Sequence, residues 1–106
     1  MTKLLTNNLT VRPSLSLAPD IIIIHPNEGY DLGLMQVEYS FPVYANCSAE
    51  EFNSGAKDPL EARICLKNDC LPGTIELNGR YWEKIGEPKK VKLLLNGGKM
   101  LILTLV

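Results

Sequence analysis

His25 and the carboxylates that follow it are the side chains best suited to chemistry. His25 is the only histidine of the 106 residues, and Glu28 and Asp31 follow it closely. A histidine beside carboxylates can serve as a general base or a metal ligand. The sequence has no second histidine and no recognisable nucleophile motif, although a metal site or a nucleophilic mechanism would need such partners. We therefore predict a non-enzymatic protein with no catalytic residue, no metal and no cofactor, and an enzyme using His25 is the third hypothesis.

Three cysteines, Cys47, Cys65 and Cys70, are the other potentially reactive side chains. A zinc site at Cys65 and Cys70 would need a matching second pair of ligands. A disulfide between these two would need an oxidising compartment, and the first residues do not resemble a signal peptide. We expect reduced, buried thiols and a cytoplasmic location.

The composition argues against two classes of partner. Apolar residues make up 45% of the chain, charged residues 22%, and the formal net charge is −1. This balance is ordinary for a globular domain and lacks the basic excess of a nucleic-acid-binding protein. The longest apolar run, residues 100–106, is too short for a membrane-spanning helix. We predict a protein partner, and neither nucleic acid nor membrane.

The adjacent aromatic residues Tyr81 and Trp82 are candidates for binding. If they lie on a strand, one ring points to the core and the other to the opposite face, where it can hold a sugar or a protein. The alternative is that the outer ring only covers the sheet.

Strand and turn signals dominate the sequence around these residues. Asn78-Gly79 and Asn96-Gly97 each separate two strand-like runs and favour tight hairpin turns. Alternation and β-branched runs predict about eight short strands, at residues 14–18, 21–24, 35–43, 62–66, 74–77, 80–85, 91–95 and 99–106. We expect an all-β fold, an antiparallel β-sandwich or barrel of seven or eight strands.

Two other segments complete the predicted architecture. Ser48 and Glu51 have the spacing of a capping box, which predicts one short helix at residues 49–52 with Phe52 packed on the sheet. Residues 1–13 are too apolar for a plain tail and too irregular for a confident strand. We interpret them as an arm preceding a single domain at 14–106.

Charge is unevenly distributed along the chain. Residues 20–61 contain eight acidic residues and one lysine, whereas residues 80–106 contain six basic and two acidic residues. If folding keeps these regions on different faces, the basic surface of one subunit can meet the acidic surface of the next. If folding brings them together, the asymmetry cancels within the molecule.

The last predicted strand has two apolar faces. One face carries Met100, Ile102, Thr104 and Val106, while the other carries Leu101, Leu103 and Leu105. A sandwich core covers only one face, so a second layer should cover the other, either the arm or another subunit.

These features favour an assembly protein that acts through protein–protein contacts. By analogy of size and fold class, its setting would be a virus particle, as a phage head-decoration or tail-accessory protein. The alternative is a monomeric module that binds carbohydrate or peptide through Tyr81 or Trp82. The predicted interface comprises Leu4, Leu5, Leu9, Tyr81, Trp82, Lys89, Lys90, Leu101, Leu103 and Leu105.

Overall fold

The computed structural model describes residues 4–46, 49–54 and 59–105. Within these ranges the strands are β1 (Leu4–Leu5), β2 (Leu9–Ser14), β3 (Ile21–Ile24), β4 (Glu38–Ala45), β5 (Leu60–Leu66), β6 (Thr74–Asn78), β7 (Lys90–Asn96) and β8 (Lys99–Leu105). The helices are α1 (Pro26–Asp31), α2 (Ala49–Ser54) and α3 (Gly79–Lys84). The protein is therefore mostly β, as predicted, but these residues form three helices instead of one.

Seven of the strands close into a barrel. Their order is β7-β2-β6-β3-β5-β4-β8, and the pairing of β7 with β8 closes the ring, while β1 pairs with β7 on the outside. Three neighbouring pairs are parallel: β2 with β6, β3 with β5 and β4 with β8. The predicted antiparallel arrangement holds only in part, because the sheet is mixed and among consecutive strands only β4–β5 and β7–β8 are neighbours in the barrel.

Alternating side chains fill the barrel interior. Along β8, Met100 and Ile102 point inward with almost no exposure, and along β7 Val91 and Leu93 do the same. Burying one such side chain contributes about 1.5–3 kcal/mol, so this interior is the main source of stability. The other residues of this core that are at most 1% exposed are Leu9, Ile22, Ile24, Leu32, Val43, Ile64, Ile75 and Leu77.

A helix lies at each end of the barrel. Helix α1 follows β3 and helix α3 follows β6, and these two strands run antiparallel, so the helices lie at opposite ends. Leu32 and Leu34, just after α1, join the core at one end, and Ile85 joins it at the other. Neither helix was predicted: α3 occupies a segment predicted as a strand at residues 80–85, and α1 lies between the strands predicted at 21–24 and 35–43.

Helix α3 forms where a hairpin was expected because Asn78 acts as its N-cap. The Asn78 Oδ1 accepts hydrogen bonds from the backbone N–H groups of Arg80 and Tyr81, at 3.0 and 3.1 Å. After the C-cap at Ile85, Gly86 has a φ of +99°, and its N–H donates to the carbonyl of Glu83. An Asn N-cap and a left-handed glycine after the last turn are ordinary helix boundaries.

The second Asn-Gly step does lie in a hairpin. Asn96 pairs with Lys99 in the β7–β8 ladder, so Gly97 and Gly98 form the two-residue loop, with φ values of +61° and +79°. A loop with positive φ at both positions is typical of a type I′ turn. The hairpin prediction is confirmed here, with the turn centred one residue later than predicted.

The described part of the predicted arm contains strand residues, and the predicted helix is present. Residues 9–13 of the arm belong to β2, whose ladders with β6 and β7 make it part of the barrel. The predicted boundary at residue 13 therefore falls inside a strand. Helix α2 confirms the helix expected at residues 49–52, although Ser48 of the capping box lies outside the described residues.

Candidate functional site

His25 and Glu28 both have structural hydrogen bonds. The Nδ1 atom of His25 accepts from the backbone N–H of Asn27 at 3.0 Å and so caps α1, with the ring partly buried at the end of β3. The buried Glu28 accepts from the N–H of Gly73 through Oε1 at 3.3 Å, which ties α1 to the turn before β6. In the described part of the chain, no three His, Cys, Asp or Glu side chains are grouped to hold a metal ion.

Cys65 and Cys70 are buried thiols that form no disulfide, and they lie in an apolar cluster outside the barrel wall. They pack with Ile23, and the partly buried Leu17 covers the same cluster. Burial raises the pKa of the Cys70 thiol above its ordinary value. Burial, and then the nearby charge of Glu38, raise the pKa of Cys65. Both thiols are therefore poor nucleophiles near neutral pH. Cys47 lies outside the described residues.

Tyr81 and Trp82 lie on helix α3 instead of on a strand, so they do not point to opposite faces. Both rings are partly buried and pack against the barrel core. The indole N–H of Trp82 donates to the carbonyl of Pro88 at 2.9 Å. Trp82 also lines a groove of about 200 Å³ beside the exposed Leu15. Each ring is only partly exposed, whereas the carbohydrate hypothesis expected one of them to face solvent.

Leu101 and Leu103, on the outer face of β8, are covered from within the molecule. Leu101 is 2% exposed and lies in a cluster with Tyr44 and Phe52, where the partly buried Leu103 joins them. The rings of Tyr44 and Phe52 meet edge to face at 5.5 Å. Helix α2 is therefore the second layer that the two-faced strand required. It removes Leu101 from the predicted interface, because Phe52 already occupies the surface on which a partner would dock.

The predicted interface residues at the start of the chain, Leu4, Leu5 and Leu9, lie in two different environments. Leu9 is fully buried in the barrel core, so no partner can reach it in the folded protein. Leu4 and Leu5 form β1 on the outside of β7, opposite Leu95 and Leu94. Leu4 is partly buried against the core, while Leu5 is 46% exposed. Only β1 therefore leaves apolar surface available here.

Lys89 and Lys90 do lie together with Leu105. They line an open groove of about 440 Å³ with Asn8, which we call the lysine groove. Lys90 is paired with Leu105 across the β7–β8 ladder, so the base of the groove has an apolar and a basic side chain next to each other. Both lysines are exposed and Leu105 is partly buried.

The most exposed cluster of large apolar side chains was missed by sequence reasoning. Tyr30, Met35 and Val37 are 78%, 86% and 77% exposed, and all three line one groove of about 240 Å³ at the end of the barrel where β4 begins. We call these three residues the apolar tip. The sequence prediction placed Met35 and Val37 on the buried face of a strand, but β4 starts only at Glu38.

The backbone of the apolar tip is fixed by hydrogen bonds. The Tyr39 hydroxyl accepts from the N–H groups of Met35 and Gln36, at 2.8 and 3.0 Å. The carbonyl of Val37 accepts from the N–H of Leu66 at 2.9 Å. The Tyr39 ring stacks on Phe41 inside the barrel mouth, with centroids 5.6 Å apart. The exposed side chains are therefore held on an ordered segment.

The charge asymmetry of the sequence is retained only in part around the barrel, because β8 with Lys99 lies next to β4. Counted around the barrel, β7 is the third strand from β5 in one direction and β2 is the third strand from β5 in the other. The exposed acids Glu38 and Glu61 belong to β4 and β5, whereas Lys90 and Arg12 belong to β7 and β2. Arg63 on β5 is 4.0 Å from Glu38 and both are about half exposed, a pair of small energetic weight. The topology therefore keeps most of the exposed strand charges on separate faces.

Comparison with known proteins gives no match: no family model, no curated protein and no solved structure resembles the chain. Among the described residues, no helix has the length and apolar character needed to cross a membrane.

Proposed function

We propose that the protein is a non-enzymatic assembly subunit that works by binding another protein surface. The observation that carries this proposal is the apolar tip. Its three large side chains are each more than three-quarters exposed and line the same groove. Contiguous apolar surface of this kind is characteristic of interaction sites, because leaving it in water forgoes the free energy of burial.

The rigidity of the tip also supports a binding role. Its backbone is held by the Tyr39 hydroxyl and by the Val37–Leu66 hydrogen bond. A partner that docks on a fixed segment pays little conformational entropy, so more of the contact energy appears as affinity.

The carbohydrate or peptide module is supported less well. Tyr81 and Trp82 pack against the core, and the Trp82 N–H is already bonded to Pro88. The protein partner that we propose is a second copy or a larger assembly, and the virus particle as its setting stays a prediction from size and fold class.

Light scattering of the untagged protein tests this proposal at several concentrations and at low and high salt. We expect a mass above the monomer value of 11.8 kDa. Replacing Met35 and Val37 together by Ser should weaken association at least about tenfold, since each buried apolar side chain contributes more than about 1.4 kcal/mol. The matched control is Leu71→Ser, whose leucine is 56% exposed and does not line the groove of the tip. A wild type that stays monomeric throughout would contradict self-assembly.

A further inference from the structure

We infer that the apolar tip of one copy docks into the lysine groove of a second copy, so that copies join head to tail. The inference rests on the proposed function and adds to it the identity of the partner, the two contact surfaces and the symmetry.

The two surfaces lie at opposite ends of the barrel. The tip precedes β4 and the lysine groove contains the start of β7. Strand β4 is parallel to β8, which is antiparallel to β7, so β4 and β7 run in opposite directions and begin at opposite ends. One molecule can therefore use its tip and its groove at the same time, on two different neighbours.

The surfaces are complementary in their apolar parts. Met35 and Val37 project almost fully into solvent, while the groove of about 440 Å³ has Leu105 in its lining. The aliphatic stems of Lys89 and Lys90 extend the apolar lining, because lysine buries its methylenes and keeps its ammonium in water. A methionine or valine side chain inserted into the groove would therefore contact Leu105 and the aliphatic stems of the two lysines.

The surfaces are also complementary in charge. Glu38 directly follows Val37 and is about half exposed, so insertion of the tip brings a carboxylate to the two ammonium groups at the groove. Its 4.0 Å contact with Arg63 is weak enough to be exchanged. The formal net charge of −1 puts little long-range repulsion between copies.

A tip-to-groove contact is heterologous, because it joins two different surfaces. Each added copy leaves one free tip and one free groove, so the assembly grows until it closes into a ring or continues as a filament. A contact between two tips would instead stop at a dimer.

Two complementary variants test this geometry. Val37→Asp disables the tip, and Lys89→Glu with Lys90→Glu disables the groove; all three residues are exposed, so the fold should be retained. Each variant alone should be monomeric in light scattering. Mixed in equal amounts, they should form a complex of two molecules and no larger species, because one intact tip and one intact groove remain.

The outcomes separate this inference from the proposed function. If the wild type forms multimers but the mixture stays monomeric, or if either variant still forms multimers alone, head-to-tail docking is wrong while assembly stands. If the wild type is monomeric, head-to-tail docking and self-assembly are both wrong, and of the proposed function only docking on a larger assembly of other proteins stands. Leu71→Asp and Lys84→Glu, which alter exposed residues outside both surfaces, should associate like the wild type.

Discussion

Lys99 closes the end of helix α2 against Phe52: its Nζ donates to the Phe52 carbonyl at 2.9 Å and lies 5.2 Å from the centre of the ring. It also donates to the carbonyl of Asn53 at 3.2 Å. A cation at a helix C-terminus satisfies carbonyls that have no partner within the helix. One lysine of the hairpin thus holds the layer that covers Leu101 and Leu103 on the outer face of β8.

Phe52→Ala should destabilise the protein by about 3–5 kcal/mol, because the ring is fully buried and its loss uncovers Leu101. Lys99→Met keeps the aliphatic stem but removes the hydrogen bonds to the helix end, and should cost about 1–2 kcal/mol. Urea unfolding measures both changes. Asn53→Ala, at an exposed position of the same helix, is the control and should stay within about 0.5 kcal/mol of the wild type. Equal losses for Phe52→Ala and Asn53→Ala would show that α2 does not cover the wall.

Asn78→Ala should cost about 2 kcal/mol, because it removes the cap of α3 and the 2.6 Å bond from Asn78 Nδ2 to the Leu17 carbonyl. Asn78→Ser should cost less, since serine can still cap the helix. Thermal unfolding gives the comparison. Asn96→Ala is the matched control. Asn96 also precedes a glycine, but it ends strand β7 and does not cap a helix. A larger loss at Asn96 than at Asn78 would contradict the assigned roles.

Gly98→Val should destabilise the β7–β8 hairpin by roughly 1–2 kcal/mol or more, because a β-branched side chain is strained at a φ of +79°. Gly97→Asn should be neutral or slightly stabilising, since Asn-Gly is the preferred pair for this turn. Chemical denaturation of the two variants beside the wild type measures the difference. Comparable stability of all three proteins would rule out the turn described here.

Stability should decline at alkaline pH through the buried thiols. Burial raises the pKa of Cys65 and Cys70 in the folded protein, so their contribution is complete below the ordinary thiol pKa of the unfolded chain. It is lost as the pH rises from about 8.5 through the raised folded values. In a Cys47→Ser background, urea unfolding from about pH 7 to about pH 10 measures this loss. Cys70→Ala should be less stable at neutral pH, but its stability should fall less steeply with pH. An unchanged slope would contradict this account.

The sequence predicted the class of fold better than it predicted the order and direction of the strands. Alternation along residues 99–106 correctly separated Met100 and Ile102 from Leu101, because inward and outward residues differ by one position on any strand. The parallel neighbours could not be predicted, since pairing between strands distant along the chain leaves no local signal. The layer covering Leu101 was expected to be the arm or another subunit, whereas Phe52, which was predicted to pack on the sheet, covers it.

Two identical dipeptides show that the same local sequence can belong to different local structures. Asn78-Gly79 and Asn96-Gly97 both predicted hairpins, but asparagine also caps helices, and Ile85 of the following segment packs into the barrel end. Gly86, just after the helix, was the signal that would have favoured the helix.

The candidate site was predicted only in part. Lys89, Lys90 and Leu105 do lie together. Met35 and Val37 were predicted to lie in a strand because their alternation continues that of β4. They are exposed because β4 begins only at Glu38, after both residues.

The order of strands round the barrel has a consequence for synthesis on the ribosome. Strands β7 and β8 are the last two of the eight to emerge, and they bridge β2 to β4. Until they appear, the nascent chain has two unsatisfied strand edges and an open hydrophobic trough. A chaperone that holds this trough would protect the chain from aggregation at the stage before β7 and β8 close the barrel.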